Sequence, residues 1–171
     1  MDDAEIRSQL VEHHRSSFGW ALHCARYDRH EAEETLQIAY LKVLEGRARF
    51  DRRSSFRTWL FGVIRRTAGE RRRWHAVRAA LFEGWRTTNP GRDASPPDPL
   101  ACVVRDDEAR ALVRALDRLS ARQRDLLHLV FHQDLSIAEA AAALGLRIGT
   151  ARTHYERGKR RLRVLLEATR P

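Results

Sequence analysis

The chain has 171 residues, 43% of them hydrophobic and 32% charged, with 32 Lys and Arg against 23 Asp and Glu for a net charge of +9. That length holds a modest core in one domain or two small ones, and so basic a balance points to a polyanionic partner, nucleic acid or a membrane surface. The acidic start MDDAEIRSQL lacks a secretory signal pattern, no apolar run approaches the roughly 20 residues that span a bilayer, and two cysteines, Cys24 and Cys102, far apart in sequence, make no disulfide framework and fit two inert thiols. A reducing cytoplasm is the expected location. The positive charge is concentrated: residues 47–78 carry 11 basic and 2 acidic groups, and residues 136–171 carry 8 and 3.

From Glu5 to Tyr27, Ile6, Leu10, Phe18, Ala21, Leu22 and Ala25 recur at helical spacing and predict one packed helix or a pair. His13 and His14 are adjacent, so on a helix they diverge by about 100° and cannot both face one metal. With no Cys-x-x-Cys or His-Glu-x-x-His pattern, neither a metal nor a cofactor is expected. Glu31–Glu45 predicts a second helix, acidic in its first turns where the helix dipole favours negative charge. Its buried stripe is Leu36, Tyr40, Val43 and Leu44, and Glu33, Glu34, Gln37 and Lys42 form a polar strip that, taken alone, reads as a solvated face.

The connection Gly46–Ser55 is densely charged, and Ser54 or Ser55 then caps a helix with Trp59 or Leu60, Val63 and Ile64 on its inner side. Arg57, Arg65, Arg66, Arg71, Arg72 and Arg73 run along it, interleaved with Phe56, Trp59, Phe61 and Trp74. Arginine holds phosphates, and aromatic rings add stacking platforms for unpaired bases, worth about 1 to 3 kcal/mol per base. The plainer reading makes the rings core and the arginines solubilising. Residues 83–100 hold four of the five prolines and read as a flexible linker. Helical spacing resumes near Asp106 through Ala109, Leu112, Val113 and Leu116, then restarts after Ser120 with Leu126, Leu127, Val130 and Phe131.

Ser136 with Glu139 forms a capping-box pattern that starts a short helix burying Ile137, Ala140, Ala141 and Leu144, and Gly145 stops it. A further helix turns Ile148, Ala151, Tyr155 and Leu162 inward and Arg152, Thr153, Glu156, Arg157 and Arg160 outward. A small-residue helix against one that shows guanidinium groups to solvent is the layout of a helix-turn-helix, whose second helix lies in the DNA major groove. An amphipathic hairpin with a solvated face is the plain alternative. Position near the helix start assigns Arg152, Thr153 and Arg157 to base edges, and Arg147, Arg160 and Arg161 to phosphates.

The row LGLRIGTARTHYERGKRRL resembles the DNA-binding region four of extracytoplasmic-function (ECF) sigma factors, with Arg147 where many members carry Pro. LDRLSARQRDLLHLVFHQDLS is similar to the stretch that precedes it in that family. AEETLQIAYLKVL resembles the polymerase-binding helix of sigma region two, with Ile38 where an acidic residue is frequent. SSFRTWLFGVIRR resembles the segment that opens the promoter's minus-10 element, with Arg66 and Thr67 where an Asn is common.

The resemblance implies an all-α protein of two small helical domains, residues 1–80 and 106–171, joined by a Pro-rich linker at 81–105. It implies contact with core RNA polymerase through Glu33, Glu34, Gln37, Tyr40 and Lys42. Duplex minus-35 DNA would meet Arg147, Thr150, Arg152, Thr153, His154, Glu156, Arg157, Arg160 and Arg161. Single-stranded minus-10 DNA would meet Phe56, Arg57, Trp59, Arg65, Arg66, Thr67, Arg71 and Arg72, with Phe56 at the helix start stacking on a flipped base and Trp59 either sharing that role or lying in the core. An anti-sigma factor is an implied partner, and membrane insertion is not expected. The competing reading is a helix-turn-helix regulator that acts without being a polymerase subunit; it would not need FRTWLFGVIRR. No Cys/His/Asp grouping or phosphate-cradling glycine loop supports an enzyme.

Overall fold

A computed structural model of the chain describes residues 2–86 and 107–168, with side chains over 2–81 and 111–168. The described residues form eight helices and no strand: α1 (Asp3–Glu12), α2 (His14–Cys24), α3 (Arg29–Leu44), α4 (Phe56–Arg86), α5 (Asp107–Asp117), α6 (Ala121–Phe131), α7 (Ile137–Leu144) and α8 (Ile148–Glu167). The all-α expectation holds, and the first stretch is a pair of helices. Most of the expected linker lies outside the described residues. Its first part, 83–86, instead continues α4, since extending a formed helix fixes one residue per hydrogen bond.

Side-chain caps start most of these helices by occupying amide donors that have no partner within the helix. Asp2 accepts from the Glu5 N–H at 2.7 Å, Asp28 from Glu31 at 2.9 Å and Ser55 from Thr58 at 3.2 Å. Ser120 with Gln123 and Ser136 with Glu139 form reciprocal capping boxes, both on the Ser-x-x-Gln/Glu spacing.

In the amino-terminal half α2, α3 and α4 pack around Trp20, which is fully buried and donates its indole N–H to the Phe61 carbonyl at 2.9 Å. Leu36, Leu60, Phe61 and Ile64 complete this centre, each such side chain contributing about 1.5 to 3 kcal/mol by leaving water. The core does not stop there. Leu126, Leu129, Leu135, Ala140, Ala141, Ala143, Leu144 and Ala151 belong to the same buried cluster, so the two halves share one apolar interior. Small residues permit the close approach of α7 to α4: a Cβ on Gly62 would lie 3.1 Å from the Ala143 carbonyl oxygen.

Four residues placed inward by their spacing are turned out: Leu44 is 38% exposed, Leu112 40%, Ile148 46% and Phe131 59%. Leu44, Leu112 and Phe131 each adjoin another apolar residue, Val43, Val113 or Val130. Neighbours on a helix point about 100° apart, so one inward direction accommodates one of the two. Ile148 opens α8, ahead of the turn where that helix meets its neighbours.

Candidate nucleic-acid and polymerase surfaces

The carboxy-terminal surface is built from α7 and α8. Gly145 ends α7 at φ 63°, a left-handed position that glycine adopts without steric cost, and the Leu146 N–H closes the turn on the Ala141 carbonyl at 2.9 Å. Ala151 and Tyr155 are buried and hold α8 down, while Gly158 lies against Gln123, where a Cβ would come within 3.2 Å. Arg147, Thr150, Arg152, Thr153, Glu156, Arg157, Arg160 and Arg161 are all exposed, as expected, and His154 is half-buried. The Thr153 hydroxyl donates to the Gly149 carbonyl at 3.0 Å, and Glu156 sits 3.4 Å from Lys159. Arg147, at the N-cap, makes no side-chain cap bond, which leaves the first amides of α8 open towards solvent.

The segment 54–75 departs further from its expected geometry. Phe56 is 6% exposed, enclosed by Phe50 at 5.5 Å, Trp59 at 5.3 Å and His13 at 6.3 Å between ring centroids, so it does not project past the helix start. Burial among three rings removes more apolar surface from water than display at the helix end could. Trp59 is half-buried and packs on the core, and Phe61 is wholly inside it. Beside Phe56 and Trp59 a cavity of about 210 Å³ opens under the 46–52 loop, with Val43, Phe50, Arg49 and Arg52 on its walls.

The cations of this segment are divided among four duties. Arg57 donates to the Gln133 carbonyl at 2.5 Å and lies 5.4 Å over the Phe61 ring. Arg65 donates to Asp125 of α6 at 2.9 Å, and Arg71 to Glu31 and Glu34 of α3. Arg72 reaches the Cys24 carbonyl at 3.3 Å, and Arg66 is exposed. Thr67 is 1% exposed and accepts from the Lys42 ammonium at 3.2 Å, so it is a packing residue in this arrangement. The hydrogen bond from Arg71 holds the Glu31 carboxyl below its ordinary range, against the opposing effect of burial.

On α3 the expected strip resolves into two faces. Glu33, Gln37 and Tyr40 line a groove of about 280 Å³ with His14, Phe18, Arg29 and Leu36. Glu34 and Lys42 turn to α4 instead, where Lys42 pairs with Glu70 and Thr67.

A polar cluster that the sequence did not announce joins the halves. Asp125, 9% exposed, accepts from His23 Nε2 at 3.1 Å as well as from Arg65. Burial alone would raise its pKa, but the His23 hydrogen bond and the Arg65 charge outweigh it and hold the carboxyl below its usual range. His128, one turn on, stacks on His23 at 4.1 Å and lies tilted against Trp20 at 5.5 Å. Asp125 and His128 sit within the apolar run RDLLHLV, where periodicity marks only the leucines and the valine. Burial pushes the Cys24 thiol far up, leaving it protonated and inert. Among the described residues no His, Cys, Asp and Glu grouping could hold a metal, and no helix is long and apolar enough to cross a membrane.

An acidic helix beside an arginine-aromatic helix, followed by a helix-turn-helix with a free cationic face, defines a two-part transcription protein of the sigma-70 type. Residues 10–78 match the family described as Sigma-70 region 2, and residues 109–162 match Sigma-70, region 4. The chain is 32% identical over 146 residues to the ECF RNA polymerase sigma factor SigX of Bacillus subtilis (strain 168), covering 84% of this chain and 74% of that one. It is 33% identical over 136 residues to the ECF RNA polymerase sigma factor RpoE of Cereibacter sphaeroides, covering 78% and 71%. The fold is similar to that of the sigma factor RpoE solved with the anti-sigma factor NepR from Bartonella quintana, at TM-score 0.63 and 21% identity over 97% and 99% of the chains. It is also similar to CnrH solved with the cytosolic domain of CnrY, at TM-score 0.65 and 21% identity over 99% and 92%. The chain belongs to the ECF RNA polymerase sigma factors. A match to region two as well as region four sets aside the reading as a regulator independent of polymerase.

Proposed function

We propose that the chain, as a sigma subunit, joins core RNA polymerase through the Glu33, Gln37 and Tyr40 groove of α3 and places α8 in the major groove of the minus-35 element. Its α4 segment then holds the melted minus-10 strand. The observation that carries this reading is the pairing, in one chain, of an α3 groove edged by Glu33, Gln37 and Tyr40 over an apolar floor with an α8 face whose arginines are free. Arg152, Thr153 and Arg157 read base edges, and Arg147, Arg160 and Arg161 hold phosphates.

For the melted strand, the cavity beside Phe56 and Trp59 receives an unpaired base, and Arg66 and Arg72 meet the backbone. Arg57 and Arg65 are tied to the carboxy-terminal half and become available to DNA when the halves separate. The protein contributes binding and no catalytic group, works in the cytoplasm and is held in check by an anti-sigma factor. Run-off transcription with purified core polymerase tests the reading: promoter-specific product appears only when this protein is added, and product independent of it would overturn the assignment.

A further inference from the structure

We propose that His128 is a proton-operated latch between the two halves of the chain, holding them together while neutral and releasing them when it takes up a proton. The functional weight of such a latch rests on the reading that promoter DNA needs the halves apart; its physical basis does not.

The ring of His128 lies against the other half, 4.1 Å from His23 and 5.5 Å from Trp20, with His132 at 5.1 Å at the C-cap of its own helix. The polar neighbour facing His128 Nε2 is an amide nitrogen and not an acceptor. Asp125, the nearest carboxylate, already accepts from His23 and Arg65. Gln133 Nε2, a donor, faces His128 Nε2 at 3.5 Å, and the Gln133 oxygen is directed to Arg57 at 3.4 Å. A proton on Nε2 would therefore set donor against donor, and the cation would stack on a second imidazole.

Burial, with His23 and His132 adding to it and Asp125 opposing, pushes His128 down to about 3. Two further histidines, His23 and His132, share this seam and are retained in the His128 variants, which therefore isolate the His128 ring. Asp125 is held below the ordinary carboxylate value, burial raises Cys24 and Tyr27 of the α2 end, and the Arg57, Arg65, Arg72 and Arg124 guanidinium groups stay charged. From α7, Glu139 is held low by its bonds to Ser136, and α8 meets α6 through Tyr155 stacked on Phe131.

Once the halves part, a hydrated His128 titrates near its ordinary value of about 6.5. The separated form then binds the proton more readily than the closed one. Closure is fully favoured above pH 6.5 and weakens as pH falls below it, the open-to-closed ratio rising about tenfold per pH unit until the closed-state value near 3. Between pH 7.5 and 5.5 the ratio rises about tenfold.

The test uses the full chain, with small-angle X-ray scattering for size, far-UV circular dichroism for helicity and NMR titration of the His128 ring from pH 7.5 to 5.0. His128→Phe and His128→Gln remove the titrating group. Gly62→Leu drives a side chain into the Ala143 carbonyl and wedges the halves apart without touching a histidine. The wild type should expand below pH 6.5 at constant helicity, at least one His128 variant should stay compact throughout, and Gly62→Leu should be expanded at both ends with His128 titrating closer to 6.5 than in the wild type. Any of four results overturns the latch: no wild-type expansion by pH 5.0, expansion with loss of helix, both His128 variants open at pH 7.5 or opening with the wild type, or identical His128 titration in wild type and wedge. None of these readouts involves polymerase or promoter, so failure of the latch and failure of the sigma reading are seen separately.

Discussion

Arg65 of α4 and Asp125 of α6 stand 60 positions apart in sequence and meet side by side, with Nε at 2.9 Å and Nη2 at 2.8 Å from the same carboxylate oxygen. Each presents to the other half of the chain a charge that water only partly reaches. Removing one partner strands the other, which at an interface costs about 2 to 5 kcal/mol. Arg65→Ala should lower the urea-unfolding free energy by about 2 kcal/mol, the low end because both side chains keep some solvent contact. The Arg65→Ala, Asp125→Ala double variant should lose less than the sum of the singles, and strict additivity would show that the pair carries no coupling.

Two glycines of α4 should respond in opposite directions to the same substitution. At Gly69 a Cβ meets nothing within 4 Å, so Gly69→Ala should stabilise by about 0.5 to 1 kcal/mol through helix preference alone. At Gly62 the Cβ presses on the Ala143 main-chain oxygen, which cannot rotate away, and Gly62→Ala should cost about 1 to 3 kcal/mol. Thermal unfolding of the two variants side by side checks the sign of each.

Arg71 ties α4 to α3 through Glu31 and Glu34. The Glu31 carboxyl is depressed below its ordinary 4.5, so its contribution is present above that value and lost as pH falls through the depressed one. Arg71→Met should therefore be less stable than wild type by about 1 kcal/mol at pH 7, and the gap should close towards pH 3. Chemical unfolding at both pH values gives the comparison; a gap that widens in acid would refute the assignment.

Gln37 and Lys42, neighbours in a single strip by spacing, should separate in effect. Gln37→Ala touches only the groove and should weaken binding to core polymerase at unchanged melting temperature. Lys42→Ala removes the link to Glu70 and Thr67 and should lower the melting temperature as well. Fluorescence anisotropy with core polymerase, paired with calorimetry, distinguishes them.

On duplex DNA, Arg152→Ala should relax preference at one or two base pairs, costing about 1 to 3 kcal/mol at those positions. Arg161→Ala should weaken specific and random duplex alike and reduce the salt slope by about one. Equal losses by both variants on both duplexes would remove the distinction between base readers and phosphate holders.

What the sequence disclosed was local. Ser136, Glu139 and Gly145 mark their helix because caps act within four residues, and the free arginines of α8 follow from one helix's periodicity. The sharing of one core by both halves was not legible, since it depends on Gly62 meeting Ala143 and Trp20 meeting His128 across long separations that leave no periodic trace. Phe56 was misplaced for a related reason: its neighbours Phe50 and His13 come from a loop and from the α1–α2 junction, and only the folded chain brings three rings together.

The long helix α4 carries one more consequence. It has 31 residues, about 46 Å of rod, yet its buried side chains end at Ala68, and every described residue from Arg72 to Leu81 is exposed. Ten residues are too few to stay helical alone in water, so this portion persists as the prolongation of an anchored nucleus. Its amides should exchange with deuterium in a graded series, fastest towards Leu81 and slowest near Ile64, where release requires the whole interior to open. One uninterrupted helix would thus record, amide by amide, the passage from global unfolding to simple fraying.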